Sequence, residues 1–473
     1  MRDSNFGLDA VIIADSGLDS LSGTNPLKLK IDGKIADIQT ILNFVKNNGQ
    51  LVQPIEDDNI MSWASAPKLN GIYLYSYLMQ NGFNAALINN YTHEKNKFVD
   101  LLKKKPSAII ISTPFIFLKK ALSQLIKDIR ILAPKIYIIA GGSYVYYSYL
   151  LTQRAHEPDY ETDAAKEDFL FLDVNKEPPV DLYIISPRGE DILCKALHNI
   201  NLNQSNKSLP NSAYLEDGKY HFSKRIEDST ELSFPQIDWS SLPDSIFQTG
   251  VVPLQASNGC PYNCTFCNFT KDRKYSFIKP IDILISEIKT VQNKGVKYIW
   301  FVDDNFRLGR NDLDDVCRRF IEENIQVKWM CFIRASTLKN ADIPLLRRAS
   351  CVEVQIGLES GDPEILKNMN KQVEPSVYRN VIKELLKNNI NVSCYFISGF
   401  PGETEESSQR TREFIKAIEH PEYPGILSWS LYPFILSPLS PIYEPEMRKN
   451  MDFMGTSING FMTRWIIKKL RIN

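Results

Sequence analysis

Short apolar runs alternate with amphipathic segments through the first 200 residues. Apolar runs of four to eight residues are typical of buried strands, and a 3.6-residue periodicity is typical of helices. The predicted strands are 10–15, 85–90, 108–113, 136–141 and 182–186. The predicted helices are 37–47, 71–81, 118–132 and 190–199, with another after Ser143. This alternation predicts an α/β domain over residues 1–200 with an open, parallel, doubly wound sheet.

A second alternation begins at Val251. It predicts strands at 251–257, 298–303, 327–333, 352–358, 392–398 and 426–432. The helices between them are expected at 281–294, 312–324, 343–348, 363–369, 375–388 and 405–418. Six strand–helix units over 251–435 predict a partial parallel barrel, whose site would lie at the carboxyl ends of its strands.

Two further segments complete the predicted organisation. Residues 201–250 form a connector whose alternating residues around Glu216-Asp217-Gly218 predict a hairpin. Residues 436–473 predict a C-terminal helical segment, because apolar and basic side chains alternate at helical spacing near its end.

Composition narrows the function classes. The 473 residues are 43% hydrophobic, enough for folded cores, and 55 Lys+Arg against 56 Asp+Glu argue against a nucleic-acid partner. The longest apolar stretch, 108–118, is interrupted by Ser112, Thr113 and Pro114 and is shorter than the roughly 18 residues of a spanning helix. No apolar secretion signal follows Met1, so we expect a cytoplasmic protein.

Three of the eight cysteines crowd together as Cys260, Cys264 and Cys267. They follow the first predicted barrel strand, where barrel chemistry takes place. Three thiolates at these spacings can hold one [4Fe–4S] cluster and leave one iron open. Zinc is the structural alternative, but a closed zinc site needs four ligands and no fourth Cys or His lies nearby.

The triplet, with Phe266 directly before its third cysteine, resembles the mark of the radical S-adenosylmethionine (radical SAM) superfamily. The resemblance implies that the open iron chelates the amino and carboxylate groups of S-adenosylmethionine. An electron from a donor such as flavodoxin or ferredoxin would then produce a 5′-deoxyadenosyl radical. A single cluster is expected, because no further cysteine-rich segment is present.

The resemblance also implies which residues contact S-adenosylmethionine. These are Phe266, Asp303, Asp304, Arg334, Glu359, Ser360 and Gly399. Asp303 and Asp304 end the second strand where the family usually carries Gly-Gly-Glu, so they are substitutes by position, and a solvated turn is the alternative. Glu359 would either accept hydrogen bonds from the ribose or pair with Arg334.

The N-terminal sheet resembles the cobalamin-dependent branch of this superfamily. The resembling residues are the segment 67–82, Ser112-Thr113, Gly141-Gly142-Ser143 and Gly189-Glu190. The resemblance implies a flavodoxin-like, cobalamin-binding sheet, with cobalamin contacts at Ser112, Thr113, Gly141 and Gly142. The first histidine of the chain is His93, so no histidine after the first strand would ligate cobalt. A sheet that kept the fold and lost the cofactor is the alternative.

The resemblance implies methylation of an unactivated carbon, by way of methylcobalamin and a 5′-deoxyadenosyl radical. A rearrangement or cyclisation, with or without cobalamin, is the alternative chemistry. A non-catalytic cobalamin or iron–sulfur sensor is an alternative of a different class. A small molecule, a peptide and a lipid all stay open as substrate, and no residue is assigned as catalytic acid or base.

Overall fold

The computed structural model describes residues 7–18, 30–31, 34–35, 66–174, 178–226, 236–268, 276–306 and 313–449. The described residues up to Ser241 form one compact unit, and those from Leu242 onward form a second. The predicted helix at 37–47 and the part of the predicted C-terminal segment after residue 449 lie outside the described residues.

The first unit is built on parallel strands. Its strands are β1 (Ala10–Ile13), β2 (Lys30–Ile31), β3 (Lys34–Ile35), β4 (Ala85–Ile88), β5 (Ala108–Ser112), β6 (Tyr137–Gly141), β7 (Leu182–Ile184), β8 (Ser212–Glu216) and β9 (Lys219–Phe222). Seven of them form one sheet in the order β4-β1-β5-β6-β7-β8-β9, and β2 pairs with β3 separately. The five strands β4, β1, β5, β6 and β7 are each parallel to their neighbours in this order. The side chains of β1 and β5 are buried throughout, which explains why both strands are continuous apolar runs.

The hairpin predicted in the connector belongs to this sheet. β8 pairs antiparallel with β7, and β9 pairs antiparallel with β8. Asp217 and Gly218 turn the chain with φ of 49° and 71°. Two adjacent positive φ angles are the requirement of a tight hairpin turn, and Asp-Gly meets it at little cost. The helices of the unit are α1 (Leu69–Gln80), α2 (Lys95–Leu102), α3 (Lys119–Leu132), α4 (Ser143–Arg154) and α5 (Glu190–Asn201).

The second unit contains a six-stranded parallel sheet. Its strands are β10 (Val251–Leu254), β11 (Ser257–Asn258), β12 (Phe277–Ile278), β13 (Tyr298–Phe301), β14 (Lys328–Phe332), β15 (Cys351–Glu359), β16 (Asn391–Ser398) and β17 (Leu427–Pro433). The sheet order is β10-β13-β14-β15-β16-β17, so the six strands follow one another in the sheet in the same order as in the chain. All five pairings are parallel. Consecutive parallel pairing places all carboxyl strand ends at one edge of the sheet.

Helices join the strands of this second sheet. They are α6 (Ile281–Asn293), α7 (Leu313–Glu322), α8 (Ala335–Leu338), α9 (Ile343–Arg348), α10 (Pro363–Asn368), α11 (Pro375–Lys387), α12 (Glu405–Ile418) and α13 (Pro445–Lys449). Polar side chains fix the start of several of them: Asp362 accepts a hydrogen bond from the Ile365 amide at 2.9 Å, and Thr404 forms a capping box with Ser407. Within the described part of the chain, no helix is long and apolar enough to cross a membrane.

The prediction of a mixed α/β fold with parallel sheets is confirmed. One predicted strand is interrupted: β10 ends at Leu254, and Ser257–Asn258 forms a separate antiparallel pair with β12. The physical reason is a carboxylate. Asp303 accepts hydrogen bonds from the amides of Ala256 and Ser257, and so takes backbone donors that a longer strand would have used in the sheet.

Candidate functional site

The three clustered cysteines lie in a loop directly after β11. Cys264 is buried, and Cys260 and Cys267 are half-buried. The Cys267 amide donates to the Cys264 carbonyl at 3.2 Å, and the Thr265 amide donates to the Met369 carbonyl at 3.1 Å. The loop is therefore turned on itself and fastened to the residues that follow α10.

The thiols are not arranged to hold a single metal ion. Across the described residues, no group of three or more His, Cys, Asp or Glu side chains has that arrangement. A closed zinc site would need four ligands around one ion, and this loop provides three cysteines. Three thiol donors in one loop, without a fourth, match the ligand chemistry of an iron–sulfur cluster.

Asp303 follows β13 and is buried, and its carboxylate binds backbone amides. Its carboxylate accepts hydrogen bonds from the Ala256 amide at 3.2 Å, from the Ser257 amide, and from the Ser257 hydroxyl at 2.7 Å. Burial raises the pKa of Asp303 to about 7, although these donors favour the ionised form. Asp303 thus holds the segment that leads from β10 to the cysteine loop.

Asp304 makes a similar contact one step closer to the cysteines. Its carboxylate accepts a hydrogen bond from the Gly259 amide at 2.9 Å, directly before Cys260. Gly259 has a φ of +80°, and a Cβ at this position would collide with Ser276. Only glycine fits this close approach in a left-handed conformation.

Arg334 lies beside the cysteine loop, two residues after β14. Its Nη1 lies 3.4 Å from the Cys264 Sγ, and its guanidinium carbon lies 3.7 Å from the centroid of the Tyr262 ring. Nη2 donates to the Lys371 carbonyl, and the Arg334 amide donates to the Asn305 side chain at 3.1 Å. The Nε atom is buried without a hydrogen-bond partner. The half-buried Arg334 guanidinium thus links Tyr262 and Cys264 of the loop to Lys371.

Glu359 pairs with Lys371, not with Arg334 as one of the two sequence interpretations expected. Lys371 Nζ lies 3.0 Å from Glu359 Oε1, and both residues are buried. Burial lowers the pKa of Lys371, but the charges of Glu359, Tyr378 and Cys264 together outweigh burial, so that the pKa of Lys371 is raised and the lysine stays charged. Glu359 has a φ of +65° beside a register shift between β15 and β16, which is strained for a residue other than glycine.

Sequence reasoning missed Lys371. It is a single lysine in the polar turn after α10, where lysines are ordinary surface residues. Its Nζ also lies 6.0 Å from the centroid of the Phe266 ring, the aromatic residue before Cys267. Lys371 thus joins Glu359 and Phe266, two of the residues that the sequence assigned to S-adenosylmethionine.

Ser360 and Gly399 lie in the loops after β15 and β16. The Ser360 hydroxyl lies 3.1 Å from the Thr411 hydroxyl and accepts from the Asp362 amide at 3.1 Å, so it fixes the start of α10. Gly399 has a φ of +83°, and its amide donates to Glu403 Oε2 at 2.5 Å. Both residues lie at the carboxyl ends of neighbouring strands of the second sheet.

The structure brings Ser112, Thr113, Gly141 and Gly142 together where β5 and β6 end. The Thr113 amide and hydroxyl both donate to the Gly141 carbonyl at 2.9 Å. Gly142 has a φ of +114°, and a Cβ there would lie 3.1 Å from Pro114 Cδ and from the Thr113 amide nitrogen. The absence of a side chain at Gly142 therefore permits this close crossing of two loops.

Asn70 completes this edge; it lies in the segment 67–82 that carries the resemblance, but it was not assigned as a cobalamin contact. Its Nδ2 donates to the Ser112 hydroxyl at 2.8 Å and to the Ala14 carbonyl at 2.9 Å, which links the ends of β5 and β1. Its Oδ1 is buried without a donor. Leaving a buried acceptor unsatisfied costs about 1–3 kcal/mol. A ligand that carries amide N–H groups fits this position, since it would supply the missing donor.

The sequence model of the Radical SAM superfamily matches residues 254–415 of this chain. The matched part contains the cysteine triplet and all the residues assigned to S-adenosylmethionine. The resemblance stated from the triplet is thereby confirmed.

Curated relatives with similar sequences include methyltransferases. An uncharacterised methyltransferase of Pyrococcus horikoshii is 26% identical over 278 residues, which are 54% of this chain and 59% of that protein. The bacteriochlorophyllide d C-12(1)-methyltransferase of Chlorobaculum tepidum is 32% identical over 181 residues, which are 37% of this chain and 39% of that protein. The chain thus spans less than two thirds of the length of either relative.

A solved structure shares the fold over almost the whole chain. The radical S-adenosylmethionine methyltransferase TsrM from Kitasatospora setae, solved with cobalamin and a [4Fe–4S] cluster bound, superposes with a TM-score of 0.59. The match covers 93% of this chain and 74% of TsrM at 14% sequence identity. At this identity the similarity establishes the fold.

Proposed function

Because residues 254–415 belong to the radical SAM superfamily, we propose that the protein is a cobalamin-dependent radical SAM enzyme that methylates an unactivated carbon of its substrate. The single observation that carries the proposal is the thiol loop, with its three cysteines and the half-buried Arg334 next to Cys264. The methyltransferase relatives support methyl transfer, and the fold of TsrM supports the use of cobalamin.

Cys260, Cys264 and Cys267 would hold the cluster. A [4Fe–4S] cluster bound by these thiolates would supply the electron that cleaves S-adenosylmethionine to a 5′-deoxyadenosyl radical. Asp304 would hold the backbone before Cys260 through the Gly259 amide. An electron donor such as flavodoxin or ferredoxin would reduce the cluster, and we propose that both proteins work in the cytoplasm.

S-adenosylmethionine would bind where β13 to β16 end. Phe266, Asp304, Arg334, Glu359, Ser360 and Gly399 remain our candidates for this site. Asp303 is reassigned: three donors from Ala256 and Ser257 occupy its oxygens, which favours a role in positioning the loop over a role in binding the cofactor's ammonium group. The six consecutive parallel strands support a partial (β/α)6 barrel over 251–435.

Cobalamin would bind at the carboxyl ends of β1, β5 and β6. The order β4-β1-β5-β6-β7 supports a flavodoxin-like sheet, in which ligands bind at the point where the strand order reverses. Ser112, Thr113, Gly141 and Gly142 would line the site, and Asn70 Oδ1 would accept a hydrogen bond from an amide side chain of the corrin. When bound, methylcobalamin would supply the methyl group.

The test is anaerobic purification with added hydroxocobalamin, followed by a visible spectrum and counts of iron and cobalt. We expect cobalt near one per chain and about four iron atoms per chain. Incubation of this protein with reductant and methyl-labelled S-adenosylmethionine should yield both S-adenosylhomocysteine and 5′-deoxyadenosine. Deoxyadenosine without S-adenosylhomocysteine would favour rearrangement or cyclisation. Cobalt or iron without either product would favour a sensor.

A further inference from the structure

A charge cluster, which consists of Arg334, Glu359 and Lys371, lies next to the thiol loop. Lys371 is 5% exposed and Glu359 is 9% exposed, and their charged atoms are 3.0 Å apart. Arg334 is half-buried, contacts the Cys264 sulfur at 3.4 Å and reaches the Lys371 carbonyl through Nη2. Two cations and one carboxylate thus lie together, and two of the three are buried.

The charges of this cluster are unevenly balanced. Lys371 neutralises Glu359 within a close pair, whereas in the described chain no carboxylate pairs with Arg334. The three side chains of the charge cluster together therefore carry one net positive charge, and that charge lies on the side chain in contact with Cys264. Charges interact strongly where water is excluded, because the effective dielectric is low.

Reduction of an iron–sulfur cluster adds one electron to a group that is already negative. Nearby cations make this step more favourable, and charge and hydrogen bonds at the sulfur ligands are established controls of cluster potential. If Lys371 were neutral, Glu359 would be an unpaired buried carboxylate in the same charge cluster as Arg334. Its negative charge would offset the effect of Arg334.

We propose that Lys371 sets the reduction potential of the cluster by neutralising Glu359, so that Arg334 acts on Cys264 as an unopposed cation. This inference rests on the proposed function, since it requires the cluster to be bound. It assigns Lys371 a positioning and electrostatic role rather than contact with reacting atoms. The electron comes from an external one-electron donor, and no bond forms or breaks at Lys371.

The experiment is an anaerobic redox titration of the reconstituted protein, without S-adenosylmethionine, in which electron paramagnetic resonance reports the reduced cluster. Lys371→Met is expected to lower the midpoint potential, with at least a tenfold shift of the reduction equilibrium, or about 59 mV for one electron. Glu359→Gln is expected to raise the potential. The Lys371→Met/Glu359→Gln double variant restores the net charge and should titrate near the wild type.

A matched control is available on the surface of the same unit. Lys289 pairs with Glu323 at 2.6 Å, but Lys289 is about half exposed. Lys289→Met should leave the potential unchanged, because water screens the loss of an exposed charge. Lys371→Arg keeps the charge and should also keep the wild-type potential.

Opposite signs for the two single variants, with recovery in the double variant, are what a charge effect predicts and a packing effect does not. Equal potentials in all variants, or shifts of one sign, would overturn the inference while leaving the proposed function intact. If Lys371→Met loses its iron, a raised potential in Glu359→Gln with an unchanged potential in Lys371→Arg supports the inference, and an unchanged or lowered potential in Glu359→Gln overturns it. A wild-type protein that binds no iron would overturn the proposed function itself.

Discussion

The carboxyl edges of the two parallel sheets, formed where their strands end, differ in chemistry although they share a topology. At the edge of the first sheet the predicted cofactor residues Ser112, Thr113, Gly141 and Gly142 are neutral; Thr113 donates to the Gly141 carbonyl, and Ser112 accepts from Asn70. At the edge of the second sheet three thiols lie beside the charged side chains of Arg334, Glu359 and Lys371.

The difference shows two ways to build a binding site on one architecture. The first edge presents backbone groups and neutral side chains. Binding of a ligand there would depend on its fit to the two crossing loops and on the unsatisfied Oδ1 of Asn70. The second edge offers thiol sulfur atoms and a net positive charge. Binding there would depend on which ligating and charged side chains are present. Substitutions at the first edge should accordingly change the affinity for cobalamin by changing the shape of the loops. Substitutions at the second edge should change the binding of iron by removing a ligating or charged side chain.

The largest effect is expected from Cys264→Ala. Loss of one of three thiol ligands should remove the cluster, lower the iron count from about four per chain to near zero, and abolish formation of 5′-deoxyadenosine. Cobalamin binding should persist, since it depends on the first edge. Cys194→Ala, in α5 of the first unit, is the control and should retain both iron and activity. Iron retained in Cys264→Ala would remove this residue from the metal site.

Gly142→Ala tests the shape of the first edge. Gly142 has φ +114° and ψ −172°, a region that only glycine adopts readily, and strain there costs about 1–3 kcal/mol. We expect cobalamin affinity to fall at least tenfold in equilibrium dialysis, with the iron count unchanged. Gly218→Ala, in the hairpin turn, has positive φ but nothing within 4 Å of its Cβ, so it should bind cobalamin normally. Unchanged affinity in Gly142→Ala would place cobalamin elsewhere.

Asp304→Ala should weaken the binding of iron at the second edge without abolishing it. The substitution removes the acceptor of the Gly259 amide and frees the backbone before Cys260. Loss of iron to a chelator should become roughly fivefold faster, equivalent to about 1 kcal/mol for one hydrogen bond. Asp315→Ala removes an exposed carboxylate that pairs with Arg318 on α7 and should release iron at the wild-type rate. Equal rates in both variants would show that Asp304 does not support the loop.

The smallest effect concerns the protonation of Asp303. Its pKa rises from the ordinary value of 3.8 to about 7 through burial, so the folded protein binds a proton that the unfolded chain has released. The free energy of unfolding should therefore fall as pH rises from about 4 to 7. Difference infrared spectroscopy should show a protonated carboxyl band that titrates near pH 7 and is missing in Asp303→Asn.

Glu190 in the first unit is the internal reference for this measurement. Burial raises its pKa as well, and because Glu190 lies in the other unit its carboxyl signal should be the same in Asp303→Asn as in the wild type. If no band disappears in Asp303→Asn, the amides of Ala256 and Ser257 keep Asp303 ionised in the neutral range.

Local patterns determined much of this protein. The apolar alternation predicted parallel α/β sheets, because side-chain periodicity follows directly from backbone geometry. The spacing of Cys260, Cys264 and Cys267, with Phe266, identified the superfamily, because these ligands lie within eight residues of each other. Such features need no knowledge of which distant segments meet.

Only the tertiary structure decided which polar groups meet across the strand ends. Glu359 pairs with Lys371, 12 positions away, and Asn70 reaches Ser112, 42 positions away. Asp303 ends β10 early by binding amides 46 and 47 positions before it. Sequence periodicity carries no signal for these contacts, because burial and charge balance depend on where the parallel strands end in space. The fold class and the spacing of the cysteines were thus set locally, whereas the charge around the thiols was set by the packing of the sheet.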